Sequence, residues 1–170
     1  MPNSEPIILR PIGTIESPFQ DPAGMPIQPT GAAEVLGRVV VDPALAEGLD
    51  DLDGFSHIIL VYHFHRSSGF ALRVTPFMDT TARGLFATRA PRRPNPLGLS
   101  VVRLLKREGN VLHVKGIDVL NGTPLLDIKP FVPDFDAPAA ERTGWLEKQS
   151  QKAKTLRSDR RFGACSGDSG

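Results

Sequence analysis

The sequence predicts a mainly β protein, a small closed or nearly closed β-barrel with one or two short helices and a C-terminal helical extension. Three observations predict it. Short runs rich in β-branched or aromatic residues recur along the chain, each bounded by Pro, Gly, Asp or Ser. Strong turn signals punctuate them, at Glu108-Gly109-Asn110 and at Asn121-Gly122. Helical periodicity is scarce, and many short strands with few helices favour a sheet closed on itself.

The elements follow in order. The runs 7–17 (IILRPIGTIES), 35–42 (VLGRVVVD) and 57–65 (HIILVYHFH) read as strands. The run 70–78 (FALRVTPFM) reads the same way, with Pro76 marking an edge or a strand end. Residues 99–120 split at Glu108-Gly109-Asn110 into a hairpin, and PLLDIKPF (124–131) forms a further strand after Asn121-Gly122. One short helix follows Asp42: that residue can cap the orphan N–H groups, Pro43 suits the first helical position and Gly48 can end it. A second helix is predicted over 139–157, docked by Trp145, Leu146 and Leu156. The stretch 16–34 is a long loop whose prolines break any ladder and whose Phe19, Met25 and Ile27 anchor it, a composition that fits a binding loop. Three regions result: a barrel domain over 1–137, a basic helical extension over 138–162 and a disordered tail over 163–170.

At 170 residues, 40% hydrophobic and 23% charged, the chain suits one soluble domain with a substantial core. No stretch approaches the roughly 20 apolar residues that cross a bilayer. Residues 1–5 lack the basic flank and apolar core of a signal peptide, and the single Cys165 has no internal partner, so a cytoplasmic location is expected. The net charge of +1 conceals a polarised distribution. Residues 42–53 carry acids and no base, whereas 83–107 carry seven bases and no acid, as expected of either a solvated face or a local anion site.

The least ordinary segment is TRAPRRPNPLGLS, residues 88–100. Each residue before a proline is pushed out of the α region, so Ala90, Arg93 and Asn95 are biased to extended geometry. The loop therefore loses little entropy on ordering, and its guanidinium groups offer planar forks for carboxylate or phosphate. Gly98 allows a close approach just as the strand begins. Metal binding by His57, His63 and His65, placed on one strand face, lacks a nearby carboxylate, and no metal is expected. Asp118 and Asp127 stand in otherwise apolar strands, where a carboxylate needs a partner. Gly-x-Gly-x-x-Gly, a phosphate-binding Walker loop, a Ser/His/Asp signature and paired CxxC are all missing from the sequence. The residues alone thus describe a β-barrel that binds an anionic or zwitterionic, nucleotide-like molecule.

PIGTIESPF, GFSHIILVYHFH, FATRAPRRPNPLGLSVVRLL and GIDVLNGTPLLDIKPFVP, in this order from about Pro11 to Pro133, resemble the TrmO (YaeB-like, VirR-like) family. The pattern T-R-x-x-x-R-P-N-P-[IL]-G is present in full. D-G-T-P-x-x-D-I-K-P-[YF] is present with Asn121 in place of its first residue.

The resemblance implies a β-barrel methyltransferase that uses S-adenosyl-L-methionine and modifies N6 of threonylcarbamoyl-adenosine beside the anticodon of tRNA. It implies a homodimer with its site near the subunit interface. Cofactor contacts would come from Gln28, Pro29 and Thr30, from His65 and Arg66, and from Arg89 and Leu99. Gly116, Ile117 and Asp118 would complete the set. An Arg and an Asp suit the carboxylate and amine of the cofactor, or its ribose hydroxyls. Asn95 and Asp127 are candidates for a catalytic polar acceptor at the adenine N6, and Arg92 and Arg93 for phosphate contacts. A non-catalytic barrel binding the cofactor or RNA, or a methyltransferase with another acceptor, is the alternative.

Overall fold

The structure, a computed structural model, describes residues 5–26, 29–77 and 79–147. Six strands close into a barrel: β1 (Gly13–Glu16), β2 (Leu36–Val41), β3 (His57–His63), β6 (Leu97–Glu108), β7 (Val111–Lys115) and β8 (Thr123–Pro130). Two more, β4 (Arg73–Val74) and β5 (Arg83–Gly84), pair with each other outside it. The barrel order is β1-β2-β7-β6-β3-β8, every neighbouring pair is antiparallel, and β8 returns to β1. The expected closed barrel is therefore found.

Alternation along each strand fills the interior. His57–His63 buries Ile58, Leu60 and Tyr62 and turns His57, Ile59, Val61 and His63 outward. Ile15, Val39, Val41, Val102, Leu112, Val114 and Leu125 join them in one cluster. Full burial of each such aliphatic side chain contributes about 1.5–3 kcal/mol. Ile117 and Val119 close one end of the cluster, and Leu49 and Leu52 pack at the other.

Two register shifts decide which charged residues face this core. Strict alternation from Thr123 and Leu125 would aim Asp127 inward. Instead Tyr62 pairs with Leu125 and Val61 with Asp127, so the extra residue on β8 turns Asp127 to the outer wall and Ile128 to the core. On β6, the shift between Leu104 and Lys106 turns Lys106 outward beside His113 and sets Arg107 opposite the buried Leu112, at the end of the barrel. Arg107 beyond it reaches the 43–49 segment, with Nη1 2.8 Å from Asp50 Oδ1 and Nη2 donating to the Ala46 carbonyl.

Several sequence expectations change. Only Gly13–Glu16 of the first run is strand, because Pro11 has no N–H for a ladder. The run 70–78 contributes two residues, between Gly69 at φ +61° and Pro76. The segment after Asp42 is helical as a 3-10 helix, Pro43–Leu49, with Asp42 accepting from the Ala44 N–H as its cap, and it ends one residue past Gly48. Residues 139–147 do not form the predicted helix: Pro138 and Gly144, at φ +58°, interrupt it, leaving a 3-10 turn at Gly144–Leu146. The one α-helix among the described residues, α1 (Pro133–Asp136), lies just before. The rest of the predicted helix, its Leu156, and the tail over 163–170 lie outside the described residues.

Candidate functional site at one barrel rim

Antiparallel closure sends the C-terminal ends of β1, β3 and β7 and the N-terminal ends of β2, β6 and β8 to the same rim. The 17–35 loop, the turn after His63, the 85–96 loop and the 116–122 turn therefore meet there, although they are far apart in sequence. The opposite rim holds the acidic 42–53 segment and the β6–β7 hairpin.

The 85–96 loop is held by its own arginine. Arg93 Nη1 donates to the carbonyls of Thr88 at 3.0 Å and Ala90 at 3.3 Å, and its guanidinium lies over the Phe86 ring. Arg92 Nε donates to the Ser68 carbonyl at 3.1 Å, joining this loop to the turn after β3. Trp145 Nε1 donates to the Ala87 carbonyl, and Arg83 lies over the indole, so Trp145 packs on the 83–87 segment outside the barrel and not, as expected, on the barrel from a helix. Asn95 is exposed at the loop's end.

The 116–118 turn is pinned from the long loop: the N–H groups of Gly116 and Ile117 both donate to the Val35 carbonyl. Gly116, at φ +91°, occupies a backbone conformation that L side chains rarely adopt. This turn lifts Asp118 off the strand on which the sequence placed it. At its base lies a hydroxyl pair inside the barrel. Tyr62 Oη and Ser100 Oγ are 2.9 Å apart, and Ser100 Oγ donates to Asp118 Oδ1 at 2.7 Å. Desolvation pushes the Asp118 carboxyl up to about 6, against the opposing influence of the Ser100 hydrogen bond, its own backbone N–H and the Arg89 charge. Burial, reinforced by Asp118, raises the Tyr62 phenol too. Arg89 thus acts electrostatically on both.

Of the remaining predicted residues, His65 and Arg66 sit in a turn beyond β3, not on the strand, because the His65 N–H folds back onto the His63 carbonyl. Desolvation, then the Arg66 and His63 charges, lower the His65 imidazole. Arg66 donates to the Gln20 carbonyl at 2.9 Å, tying this turn to the long loop. The backbones of Pro29 and Thr30 open a 3-10 turn, Pro29–Ala32, while Gln28 and Ile27 lie outside the described residues. Leu99 faces the outer wall and is 55% exposed. Asp127 lies on that wall too, because Val61 pairs with both Leu99 and Asp127. It accepts from the Ile128 N–H and pairs with Lys129 at 2.9 Å, apart from the Asp118 chain.

A ligand touching both Leu99 and Asp118 would therefore straddle the rim, since the barrel interior is packed. A groove of about 610 Å³ runs over the outer face of β1, β2 and β7 beside Glu16, Arg38 and His113 and contains none of the predicted residues. It is open, and its Arg38 is already paired with Glu16, so the rim carries the more specific chemistry. Among the described residues, no three His, Cys, Asp or Glu side chains gather as a metal-ligand set.

Sequence reasoning missed Tyr62 and Ser100. The available signal was two polar residues at inward positions of apolar strands, His57–His63 and Leu97–Glu108.

A closed antiparallel barrel with an Arg–Asp pair at one rim, backed by buried hydroxyls, defines a class of small β-barrel proteins distinct from doubly wound nucleotide-binding sheets. Comparison with known proteins names the family. The tRNA-methyltransferase O N-terminal domain matches residues 14–137, and the chain belongs to the TrmO family. It is 54% identical over 156 residues to a probable S-adenosyl-L-methionine-binding protein of Pyrococcus abyssi, covering 92% of this chain and 85% of that one. It is 33% identical over 141 residues to the human tRNA (adenine(37)-N6)-methyltransferase, covering 78% of this chain and 32% of that protein. The crystal structure of TrmO from Pseudomonas aeruginosa superimposes with a TM-score of 0.70 at 40% identity, covering 83% of this chain and 63% of that one. The chain thus spans just under two thirds of that solved protein and a third of the human one.

Proposed function

We propose that this protein is an S-adenosyl-L-methionine-dependent methyltransferase acting on tRNA, at N6 of threonylcarbamoyl-adenosine beside the anticodon. One observation carries the reading: Arg89 and Asp118, supplied by two separate family motifs, converge at one rim as a cation and an anion. That pair matches a zwitterionic amino-acid tail, or a ribose hydroxyl beside a carboxylate. The names of the relatives agree with it. No described helix is long and apolar enough to cross a membrane, and the proposed tRNA substrate would suit a cytoplasmic protein.

The bound cofactor supplies a methyl group already activated on a sulfonium. The chain's task is then alignment, which in well-oriented systems contributes about 7–11 kcal/mol. Arg89, Asp118 and the Gly116-Ile117 backbone would hold the cofactor, with Gln28, Pro29, Thr30, His65, Arg66 and Leu99 closing around it. Asn95, exposed at this rim, would orient the adenine amino group. Asp127 would receive its proton if the acceptor lies along the outer wall beside Leu99. An anticodon-loop base is readily splayed from its neighbours, so little energy is needed to present it. Arg92 would meet a phosphate, whereas Arg93, engaged with the carbonyls of its own loop, would hold that loop in shape for the RNA.

A homodimer completes the proposal. Leu97, Leu99 and Phe86 are 40%, 55% and 74% exposed beside the site, an apolar patch suited to a second copy.

A second reading, cofactor binding without turnover, is favoured by the length of the relatives. The Pyrococcus protein of comparable length is named for binding, whereas the human methyltransferase is much longer. Labelled methyl transfer to tRNA from cells lacking the modification separates the two. Transfer that is insensitive to chelator supports the first reading. Saturable cofactor binding with no tRNA labelling at any salt concentration would replace it with the second.

A further inference from the structure

We infer that Tyr62 and Ser100 are positioning residues, a two-hydroxyl chain through the barrel interior that fixes how Asp118 is presented at the rim. The inference rests on the reading of Asp118 as a cofactor ligand.

The chain has a single polarity. A serine hydroxyl has one proton, and that of Ser100 goes to Asp118 Oδ1 at 2.7 Å. The Tyr62 hydroxyl, 2.9 Å away, must then be the donor to Ser100 Oγ. Both residues are sealed inside, 4% and 1% exposed, so neither hydroxyl can exchange its partner for bulk water. The Tyr62 ring cannot swing, because it is wedged against Gly98 on one neighbouring strand and meets Phe64 edge-on at 5.5 Å. Each link is thus held by packing, and Asp118 Oδ1 is held by the last.

Packing alone does not account for these two side chains. Phe at 62 and Ala at 100 would fill the same space with no polar group to desolvate. The hydroxyls repay their burial only through the carboxylate at the end of the chain. Arg89 and Tyr62 are the charged or titratable groups found to act on Asp118 among the described residues. Arg89 approaches from the 85–96 loop and the hydroxyl chain from the barrel interior, so one carboxylate oxygen is engaged from within while the group remains partly open at the rim.

The experiment uses the whole chain and three variants, Tyr62→Phe, Ser100→Ala and the double variant. Carboxyl-carbon NMR follows the Asp118 midpoint in the free protein, and calorimetry follows S-adenosyl-L-methionine binding from pH 5 to 9. Ser100→Ala should raise the midpoint by about one pH unit, the equivalent of a typical charge-assisted hydrogen bond. It should weaken binding several-fold near pH 6.5 and progressively less at higher pH, and Tyr62→Phe should act in the same direction with smaller amplitude. The double variant leaves no hydroxyl unpaired, so it should regain thermal stability lost in Ser100→Ala while keeping the shifted midpoint. Unmoved midpoints, or an affinity loss equal at every pH and tracking thermal stability, would overturn the inference. A wild-type chain that binds no cofactor, with the midpoint still shifted in Ser100→Ala, would defeat the cofactor reading and leave the control of Asp118 standing.

Discussion

Tyr62 and Gly98 face each other across the β3–β6 ladder with no room between them: a Cβ on Gly98 would stand 2.8 Å from the tyrosine Cδ2 and nearer still to two other ring carbons. The glycine of the N-P-L-G stretch is therefore required by a ring on the next strand. Gly98→Ala should destabilise the fold by about 1–3 kcal/mol, the usual cost of overpacking a tight core. Urea denaturation checks this, and an unchanged midpoint would mean that the ring has another place to go.

The Asp118 carboxyl gives the free protein a defined pH response. Its folded value, about 6, lies above the ordinary aspartate value of 3.8, so the native state holds the proton more tightly than the unfolded chain. The associated stability is full below about pH 4 and is lost as pH rises through about 6, amounting to about 3 kcal/mol at most. Asp118→Asn should flatten this slope between pH 4 and 7 and raise the melting temperature near neutrality. Cofactor affinity should run the opposite way in the wild type, strengthening as Asp118 ionises. A pH-independent affinity across this range would remove the carboxylate from the binding site.

Arg89 supplies the positive half of the proposed pair. Arg89→Ala should weaken S-adenosyl-L-methionine by about 1.5–3 kcal/mol, the range for a hydrogen bond to a charged group. Calorimetric titration at low and moderate salt measures it. Retention of wild-type affinity would exclude Arg89 from contact.

The two neighbouring arginines should separate by role. Arg93 is committed to the carbonyls of its own loop and to Phe86, so Arg93→Gln should raise amide exchange at Thr88 and Ala90. Arg92 is held through its Nε, and Arg92→Gln should lower the salt slope of tRNA binding by about 0.7, the loss of one single-stranded phosphate contact. An identical slope in Arg92→Gln would argue that its guanidinium never reaches the backbone of the RNA.

Legibility in the sequence depended on range. Local rules worked where they suffice: Asp42 and Pro43 start a helical segment, and Gly109 at φ +62° turns the β6–β7 hairpin. They failed where pairing partners decide. The apolar run 70–78 looks like a strand, yet no barrel neighbour is in register with it. Asp127 looks like a core carboxylate, yet one extra residue on β8 rotates it outward, and nothing in PLLDIKP alone reveals the shift. The candidate site was partly readable because its motifs are contiguous. Its foundation was not, since Tyr62, Ser100 and Asp118 lie 38 and 18 residues apart and meet only once the wall closes.

That wall has one more implication. With β8 joined to β1, each barrel strand already has a neighbour on either side, and the barrel itself offers no open edge to recruit a foreign strand. Any self-association of barrels would then use side chains such as Leu97 and Leu99. It can be strengthened or abolished by single replacements on the surface, leaving the cylinder beneath intact.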